Sequence, residues 1–367
     1  MKRLFVAALA GLFIFNAGAQ EKPPVRLAII GLSHDHAFGF IPLMKGRTDV
    51  VLAGIVETNS DLIERYSQRF HLERALFYPS IGALLAKTNV QVAAAFGSVF
   101  DHRQVVEECA PHHIDVMMEK PLAVNMKHAR AIEAAAKKYG VEIVVNYETT
   151  WYPGNTAAYE MAQRRDIGDL RKIVVHDGHS GPKEIGCSTN FLNWLTDPVL
   201  NGGGAIVDFG CYGADLITWL MNGETPTAVF AVTQHIKPEV YPKVDDEATI
   251  VLTYPKAQGI IQASWNWPFN RKDMEIYGRT GYVLVPTSDL LRVRKADDKQ
   301  ERTETPAPLV GPNGDPLSYL VAVARREIKP AGLSSLKINL VAMQILDAAR
   351  ESARTGRRVT IPHDPAN

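Results

Sequence analysis

The sequence has few cysteines and no excess of charge of either sign. Three Cys stand among 367 residues, so at least one lacks an intramolecular partner. We interpret Cys211 as a small buried apolar residue, because nothing in the sequence identifies a base that would activate it. The 40 Lys plus Arg balance the 40 Asp plus Glu, and no basic run is present. We therefore expect no nucleic-acid partner.

One apolar run lies at the start of the chain, and it is short. Lys2 and Arg3 precede the run from Leu4 to Phe15, and an Ala-Gly-Ala site ends at Ala19. This order is typical of a secretory signal peptide over residues 1–19, and the run is too short for a convincing membrane span. No Cys follows the site to receive a lipid, and the single Lys-Arg pair is not a twin-arginine signal. We expect an exported, periplasmic protein with no membrane contact after cleavage.

The remaining length exceeds what a single core usually serves, so two domains are expected. Strands alternate with helices through Tyr147, which predicts a doubly wound parallel sheet over residues 24–147. From Trp151 onward, apolar runs follow one another without long helices between them. This pattern predicts one large, mostly antiparallel sheet over residues 148–334.

The predicted strands of the second sheet are Leu170 to His176, Ala228 to His235, Ala248 to Tyr254, Gly259 to Trp265, Met274 to Tyr277 and Tyr282 to Pro286. A polar segment, Lys295 to Pro308, is predicted to be a surface excursion. The periodic apolar positions over residues 335–362 predict a long closing helix that is stopped by Gly356.

A glycine-containing loop follows the first predicted strand. Gly31 holds the first glycine position of a dinucleotide-binding fingerprint, and Ser33 and His36 occupy the second and third. The next strand ends in Glu57, roughly twenty residues further on, where a carboxylate can hydrogen-bond a ribose diol. Glu57 would repel a 2′-phosphate and no Arg follows it directly, which favours NAD over NADP. The alternative is that Glu57 caps the helix beginning near Ser60.

The tripeptide Glu119-Lys120-Pro121 follows an apolar run and opens a polar stretch. Lys120 therefore stands where a strand ends, and ligands of an open α/β sheet bind at that edge. The ammonium group is placed to meet a substrate hydroxyl. The alternative is a solvated loop lysine, since Lys is mostly exposed.

A glycine-rich segment beginning at Asn201 leads into a predicted helix that carries two carboxylates and a phenol. Asp208, Tyr212 and Asp215 are separated by four and then three residues, the spacing of neighbours on one helical face. A carboxylate and a phenol so placed could orient an alcohol and exchange its proton. The alternative is a helix cap by Asp208 and a tyrosine packed in the core.

These segments resemble the Gfo/Idh/MocA family of nicotinamide-dependent oxidoreductases. The resemblance rests on Glu-Lys-Pro at 119–121, Gly-Gly-Gly…Asp-x-Gly at 202–210, His102 in the loop after a predicted strand, and Glu-Ser-Ala-x-Thr-Gly-Arg at 351–357. It implies an α/β plus α+β fold, with a Rossmann-type dinucleotide-binding domain and a C-terminal domain on a large sheet. It also implies homo-oligomers paired through one face of that sheet.

The resemblance implies roles for individual residues. Lys120 would orient the substrate and relay its proton, Asp208 would be the partner carboxylate, and Tyr212 stands where most members carry histidine. The implied cofactor is NAD, with NADP less favoured, and the implied substrate is a sugar, polyol or glycoside. The candidate cofactor-binding residues are Gly31, Ser33, His34, His36, Glu57, His102, Glu119 and Lys120. The candidate substrate-binding residues are Lys120, Tyr147, Asp208, Tyr212 and Asp215.

Three functions remain open at this stage. In the first, hydride passes between a carbinol carbon and the nicotinamide, and Tyr212 is the acid/base; Lys120 is expected to lower the pKa of Tyr212. In the second, tightly held NAD is recycled, and transient oxidation permits elimination, epimerisation or glycoside cleavage without net redox change. Export favours this second function. The third is a noncatalytic sugar-binding protein on the same fold.

His34 and His36 flank Asp35, and two imidazoles in an irregular loop could converge on a metal ion. A third ligand would have to come from a distant segment, such as Asp177 or His179. We predict no metal. We expect the imidazoles to hydrogen-bond cofactor phosphates, or to replace glycines in a slightly more open loop.

Overall fold

The computed structural model describes residues 22–362, so the predicted signal peptide over residues 1–19 lies outside the described chain. Within residues 22–362, one sheet of six strands and one of nine organise the fold. In the same range, no helix has both the length and the apolar character needed to cross a bilayer.

The first sheet is parallel, and its central strands are buried on both faces. Its strands are β1 (Val25–Ile30), β2 (Val50–Val56), β3 (Phe77–Tyr78), β4 (Val92–Ala95), β5 (Asp115–Glu119) and β6 (Ile143–Asn146). Its helices are α1 (Ala37–Phe40), α2 (Ser60–Phe70), α3 (Ile81–Leu85), α4 (His102–Cys109) and α5 (Met126–Tyr139). The spatial order β3-β2-β1-β4-β5-β6 reverses between β1 and β4, and ligands of such sheets bind at that crevice.

Helix boundaries in this domain follow local capping chemistry. The Asn59 side chain accepts hydrogen bonds from the backbone N–H groups of Asp61 and Leu62, so it caps α2. The alternative role considered for Glu57 was to cap this helix, but the capping residue is Asn59. Helix α5 begins at the Asn125 cap and ends at Gly140, whose φ of 67° suits glycine.

The second sheet is antiparallel except where β7 pairs with β10. The helices and strands between residues 153 and 304 are α6 (Pro153–Gln163), β7 (Leu170–Gly178), α7 (Thr189–Leu195), α8 (Ala205–Asp208), α9 (Gly210–Leu220), β8 (Ala228–Gln234), β9 (Glu247–Thr253), β10 (Gln258–Ser264), β11 (Arg271–Gly278), β12 (Gly281–Thr287), β13 (Leu290–Lys295) and β14 (Arg302–Glu304). The predicted fold class, a parallel sheet followed by a large mostly antiparallel one, is confirmed.

The structure departs from the predicted surface excursion over residues 295–308. A short edge strand, β14, lies inside it and pairs with β13 through Leu291, Arg292 and Val293. The prediction missed β14 because its side chains are polar and largely exposed, which gives an edge strand no apolar alternation.

Two helices near the end of the chain tie the domains together: α10 (Pro316–Ala324) and α11 (Leu336–Thr355), followed by β15 (Val359–Thr360). Leu317 and Leu320 of α10 are buried with Leu27 of β1 in the core of the first sheet, although the sequence pattern placed this segment in the second domain. Helix α11 packs on α9, β8 and α5, and ends at Gly356 with φ of 66°. Strand β15 then extends the second sheet beside β8.

Candidate active site

A buried ion pair joins the two domains at the end of β5. The Lys120 ammonium donates to Asp208 Oδ1 at 2.5 Å and to the Asp208 carbonyl at 3.0 Å. The Trp265 indole N–H donates to Asp208 Oδ2 at 2.9 Å, so both carboxylate oxygens have partners. The two side chains are only 7% and 6% exposed. The structure thus brings together the two residues that the resemblance pairs.

The ion pair keeps both groups charged although both side chains are buried. Burial lowers the pKa of Lys120, but the Asp208 carboxylate outweighs burial, and the pKa lies above its ordinary value. Burial likewise raises the pKa of Asp208, yet the Lys120 charge and hydrogen bond bring it below the ordinary range. The site therefore presents a fixed ammonium group.

The prediction that Lys120 lowers the pKa of Tyr212 is wrong. Burial raises the pKa of the Tyr212 phenol well above 10, and the Asp177 and Glu148 carboxylates raise it further. The Lys120 and Lys272 ammonium groups lie 5.0 and 4.8 Å from the centre of the Tyr212 ring. Tyr212 is consequently a neutral phenol, a proton donor and not a base.

A cavity of about 510 Å³ opens beside the ion pair, between the carboxyl edge of the first sheet and the second domain. Its wall includes Asp35, His36, Lys120, Glu148, Asp208, Tyr212 and Lys272. Lys272 on β11 forms an ion pair with Glu148. Sequence reasoning missed both residues, because no motif marks them and only strand register brings Lys272 to the cavity.

The predicted helical face carrying Asp208, Tyr212 and Asp215 is interrupted. Helix α8 ends at Asp208 and α9 begins at Gly210, so Asp208 belongs to a different helix from the other two. Asp215 is fully buried, and its carboxylate oxygens have no hydrogen-bond partner among the described residues. Burial accordingly raises the pKa of Asp215 well above its ordinary value.

Asp215 and Tyr147, which were expected to bind substrate, lie behind the cavity wall and not in it. Tyr147 is also fully buried, with its ring edge-on to Tyr212 at 5.3 Å, and neither Tyr147 nor Asp215 lines the cavity. Cys211 is buried as predicted, and its thiol donates to the Asp208 carbonyl at 3.2 Å. These residues form the packing layer behind Tyr212.

A second cleft, of about 350 Å³, lies at the ends of β1, β2 and β4. Gly31 has φ of 80°, and a Cβ there would lie 2.9 Å from the Gly97 nitrogen, so the turn requires glycine. Glu57 lines the cleft. Its carboxylate accepts from the backbone N–H groups of Leu32, Thr58 and Asn59, which ties the loop after β1 to the end of β2.

His102 is the first residue of α4 and not a loop residue, yet it lies in the wall of this cleft. Its Nδ1 is 3.3 Å from the Leu122 carbonyl. Its Nε2 is buried and has no hydrogen-bond partner within residues 22–362. This buried nitrogen lies in the same cleft as the Gly31 turn, so it could form a hydrogen bond with a polar group of a bound dinucleotide.

The loop over residues 33–36 contacts both domains. His36 Nδ1 lies 2.9 Å from Glu119 Oε2, and the other Glu119 oxygen accepts from Asn146 at 2.8 Å. His34 accepts from the His36 backbone N–H at 3.2 Å, and burial lowers the pKa of His34 well below its ordinary value. The Ser33 carbonyl faces the second domain and accepts from Trp194 at 3.4 Å.

Neither Asp177 nor His179 completes a metal site with the two loop histidines. In the described part of the chain, the carboxylate whose oxygens come near both imidazoles belongs to Glu119. That carboxylate already accepts hydrogen bonds from His36 and Asn146. Glu119, His36 and Asn146 thus form a hydrogen-bonded network.

A segment of the second domain, Ser188 to Leu200, crosses the cofactor side of the first sheet; we call it the bridging segment. Its first N–H donates to Asp35 at 2.7 Å, and its last carbonyl accepts from Phe100 at 2.9 Å. Between these ends, Phe191 and Trp194 pack on the His34 ring at 4.5 and 5.3 Å. The bridging segment therefore contacts the loops after both β1 and β4.

Comparisons with known proteins agree with this architecture. Residues 25–147 match "Oxidoreductase family, NAD-binding Rossmann fold", and residues 156–284 match "GFO/IDH/MocA C-terminal domain". A trans-1,2-dihydrobenzene-1,2-diol dehydrogenase of Xenopus laevis is 27% identical over 258 residues, which cover 68% of this chain and 74% of that protein.

Two solved structures share the whole fold. The aldose-aldose oxidoreductase of Caulobacter crescentus, complexed with glycerol, has a TM-score of 0.77 at 21% identity and covers 92% of this chain and 100% of its own. An inositol dehydrogenase homolog of Azotobacter vinelandii, complexed with NAD+, has a TM-score of 0.78 at 15% identity, covering 92% and 98%. With both halves matched, the chain belongs to the GFO/IDH/MocA family of NAD-binding oxidoreductases.

Proposed function

We propose that this protein oxidises a secondary alcohol of a sugar, polyol or glycoside, or reduces the corresponding ketone, using NAD. The observation that carries the proposal is the Lys120–Asp208 ion pair, which lies at the wall of the larger cavity and immediately after β5. When bound, NAD exchanges two electrons and one hydrogen with the carbinol carbon. The protein's own residues then have to bind and orient the alcohol, and to accept or supply the proton of its hydroxyl group.

Lys120 and Tyr212 are proposed to hold the substrate oxygen. The Lys120 ammonium is fixed by Asp208 and can donate to a hydroxyl or a carbonyl oxygen. The neutral Tyr212 phenol can donate to the same oxygen, because its raised pKa keeps it protonated. Two donors converging on one oxygen stabilise the negative charge that develops there.

The charges of the cavity favour an uncharged substrate. Its two lysines are each paired with a carboxylate, Lys120 with Asp208 and Lys272 with Glu148. An anionic sugar would have to break one of these pairs to gain a partner of its own. Three of the similar proteins, a dihydrodiol dehydrogenase, an aldose-aldose oxidoreductase and an inositol dehydrogenase homolog, are named for substrates with vicinal hydroxyl groups.

The smaller cleft favours NAD over NADP. Its described wall contains the carboxylates of Glu57, Asp101 and Glu108 and no Lys or Arg. A 2′-phosphate in that cleft would meet negative charge without a cation to neutralise it. A ribose diol would instead find acceptors for its hydroxyl groups.

The uncovered face of the second sheet supports a homo-oligomer. The strand register aligns Phe230, Val251, Ile260, Val174 and Leu284 in a row across β8, β9, β10, β7 and β12, with Glu275 between the last two. Phe230 is 40% exposed. An apolar row of this kind is typical of a subunit interface. Light scattering of wild type and Phe230→Glu tests it, with a smaller particle expected for the variant.

We also propose export to the periplasm, on the sequence of residues 1–19 alone. Mass spectrometry of protein recovered from its native host should give a chain that begins near Gln20. A soluble form that retains Met1 contradicts the proposal.

The experiment that tests the main proposal is a substrate panel. Purified protein with NAD is offered aldoses, inositols, other polyols and glycosides, and product is identified by mass spectrometry together with absorbance of the reduced nicotinamide. We expect a keto product from at least one neutral member. The proposal fails if no member of the panel is converted in either direction while NAD binds normally.

The bridging segment favours a second function, a redox-neutral sugar reaction on retained NAD. It contacts the loops on both sides of the cleft, which would slow the exchange of a bound dinucleotide. A product isomerised, eliminated or cleaved without net reduction of NAD would distinguish this function from a dehydrogenase.

A further inference from the structure

We propose that His36, oriented by Glu119, is the residue that accepts the substrate's hydroxyl proton during oxidation. The inference deepens the proposed function and rests on it. His36 lies in the wall of the larger cavity with Lys120 and Tyr212, and 46% of its side chain is exposed. It stands where a dinucleotide fingerprint has its third glycine, so this imidazole is added to a loop that needs none for NAD.

The Glu119 carboxylate fixes which ring nitrogen of His36 carries the proton. Glu119 is buried, and burial favours its neutral form, but the contacts with His36 and Asn146 bring the pKa of Glu119 below its ordinary value. An ionised carboxylate 2.9 Å from Nδ1 requires a proton on Nδ1. Nε2 is then the unprotonated nitrogen, and it has no hydrogen-bond partner among the described residues.

The Glu119 side chain is itself held in place. Asn146 donates to its Oε1 at 2.8 Å, and the Asn146 carbonyl oxygen accepts from the Trp151 indole at 3.0 Å. An imidazole oriented by a buried carboxylate, which is supported in turn, is the arrangement that general bases use in hydrolases.

Neither of the two groups proposed to hold the substrate oxygen, Lys120 and Tyr212, can accept the proton near neutral pH. Lys120 is held as an ammonium group, and the pKa of Tyr212 keeps it a phenol. The second imidazole of the cavity, His179, accepts from the Gly181 N–H at 2.9 Å through its Nδ1, so its proton lies on Nε2. His36 is therefore the imidazole with a free basic nitrogen.

Several charged or titratable groups face His36 and will shape its pH response. Glu119 of β5 contacts it at 2.9 Å, and the His34 ring centre lies 4.4 Å away. Glu148 also lies near it and lines the same cavity. Asp35 adjoins it in the chain, and Lys120 follows Glu119. Three carboxylates and one ammonium group thus lie around the His36 ring.

The step balances as follows. The carbinol C–H bond breaks, and its hydrogen leaves with both electrons, which reduces the bound NAD+ to NADH. The O–H bond breaks, its electron pair becomes the second bond of the carbonyl, and its proton forms a bond to His36 Nε2. Lys120 and Tyr212 hold the oxygen throughout without changing protonation state.

The test compares His36→Asn and Glu119→Gln with wild type. His112→Gln is the matched control, because His112 is exposed before β5 begins, at the opposite edge of the sheet. Turnover at saturating NAD is measured against pH, NAD affinity is measured by titration, and nitrogen NMR of the histidines reports which ring nitrogen is protonated. The turnover of each protein is also measured after treatment with a metal chelator.

We expect His36→Asn to lower turnover by roughly a hundredfold or more and to remove the loss of activity at acidic pH, with NAD affinity unchanged. In Glu119→Gln, NMR should show the proton of His36 redistributed between its two nitrogens, with turnover reduced. His112→Gln should match wild type.

Several outcomes overturn the inference. Normal turnover of His36→Asn on a substrate that wild type oxidises does so while leaving the proposed function intact. Weakened NAD binding with normal turnover at saturation assigns His36 to the cofactor instead. Chelator-sensitive activity with a bound metal makes His36 a ligand. A wild-type His36 that carries its proton on Nε2 removes the premise, whether or not a substrate is known.

Discussion

The backbone N–H of Ser188 donates a 2.7 Å hydrogen bond to the carboxylate of Asp35, and this contact joins the second domain to the loop that follows β1. That loop is where a dinucleotide pyrophosphate binds in folds of this type. The release of NAD and the separation of these two residues are therefore expected to be one event.

The first prediction concerns the rate of NAD release. Trp194→Ala removes an indole that packs on His34 and donates to the Ser33 carbonyl, so NAD should dissociate faster. Trp219→Ala is the control, because Trp219 stacks on Tyr159 at 4.0 Å and lines neither cleft. Displacement of bound NAD, followed by fluorescence, measures both rates. Equal rates for the two variants contradict a restraining role of the bridging segment.

Retention of NAD also has a kinetic signature. If wild type holds its cofactor through many turnovers, added NAD should accelerate the reaction little once the site is full. Product should then form without matching NADH, as absorbance and product analysis can show. Continuous release of one NADH per oxidised sugar instead identifies an ordinary dehydrogenase.

The second prediction separates catalysis from stability at the buried ion pair. Lys120→Met should lower turnover by roughly a hundredfold or more, because a transition-state donor is lost. It should also lower the free energy of unfolding by about 3 kcal/mol, since it leaves the Asp208 charge buried without its cation. Adding Asp208→Asn should restore stability in denaturant unfolding and leave turnover low. Near-normal kcat in either variant refutes the role of Lys120.

The third prediction concerns cofactor preference. Glu57→Ala removes a proposed ribose acceptor and a charge that repels a 2′-phosphate, so NAD should weaken more than NADP. Titration of both cofactors measures the change. Asn59→Ala is the control, because it removes the cap of α2 at a cost of about 1 kcal/mol of stability without touching the cleft wall. An unchanged preference in Glu57→Ala limits that residue to its three backbone hydrogen bonds.

The fourth prediction is a pH-dependent stability difference at Asp215. Burial raises the folded pKa of Asp215 above its unfolded value, which is about 3.9. Between those two values the unfolded chain releases a proton that the folded chain keeps, so this residue lowers stability as pH rises. Asn cannot ionise. Relative to wild type, Asp215→Asn should gain stability from about pH 4 upward, and thermal unfolding at several pH values checks this trend.

The sequence predicted those parts of the structure that depend on local patterns. Apolar runs and turn residues indicated both sheets, and Gly356 ended the last helix as expected. The Lys120 and Asp208 side chains meet as the resemblance implied.

What could not be predicted depends on long-range packing. The 3.6-residue period placed Asp215 on the face of Asp208, but Phe209 interrupts the helix between them. Lys272 reaches the cavity through the pairing of β11 with β7, which no local pattern encodes. The pKa of Tyr212 depends on burial and on Asp177 and Glu148, so proximity to one lysine gave the wrong sign.

Residues 316–360 complete both domains, so each core is incomplete until this part of the chain is present. Helix α10 supplies Leu317 and Leu320 to the core of the first sheet, and β15 adds the final strand to the second. A nascent chain therefore lacks part of each core until residues 316–360 have left the ribosome. Such an incomplete chain is expected to remain unfolded, which is the state that the export route proposed above requires.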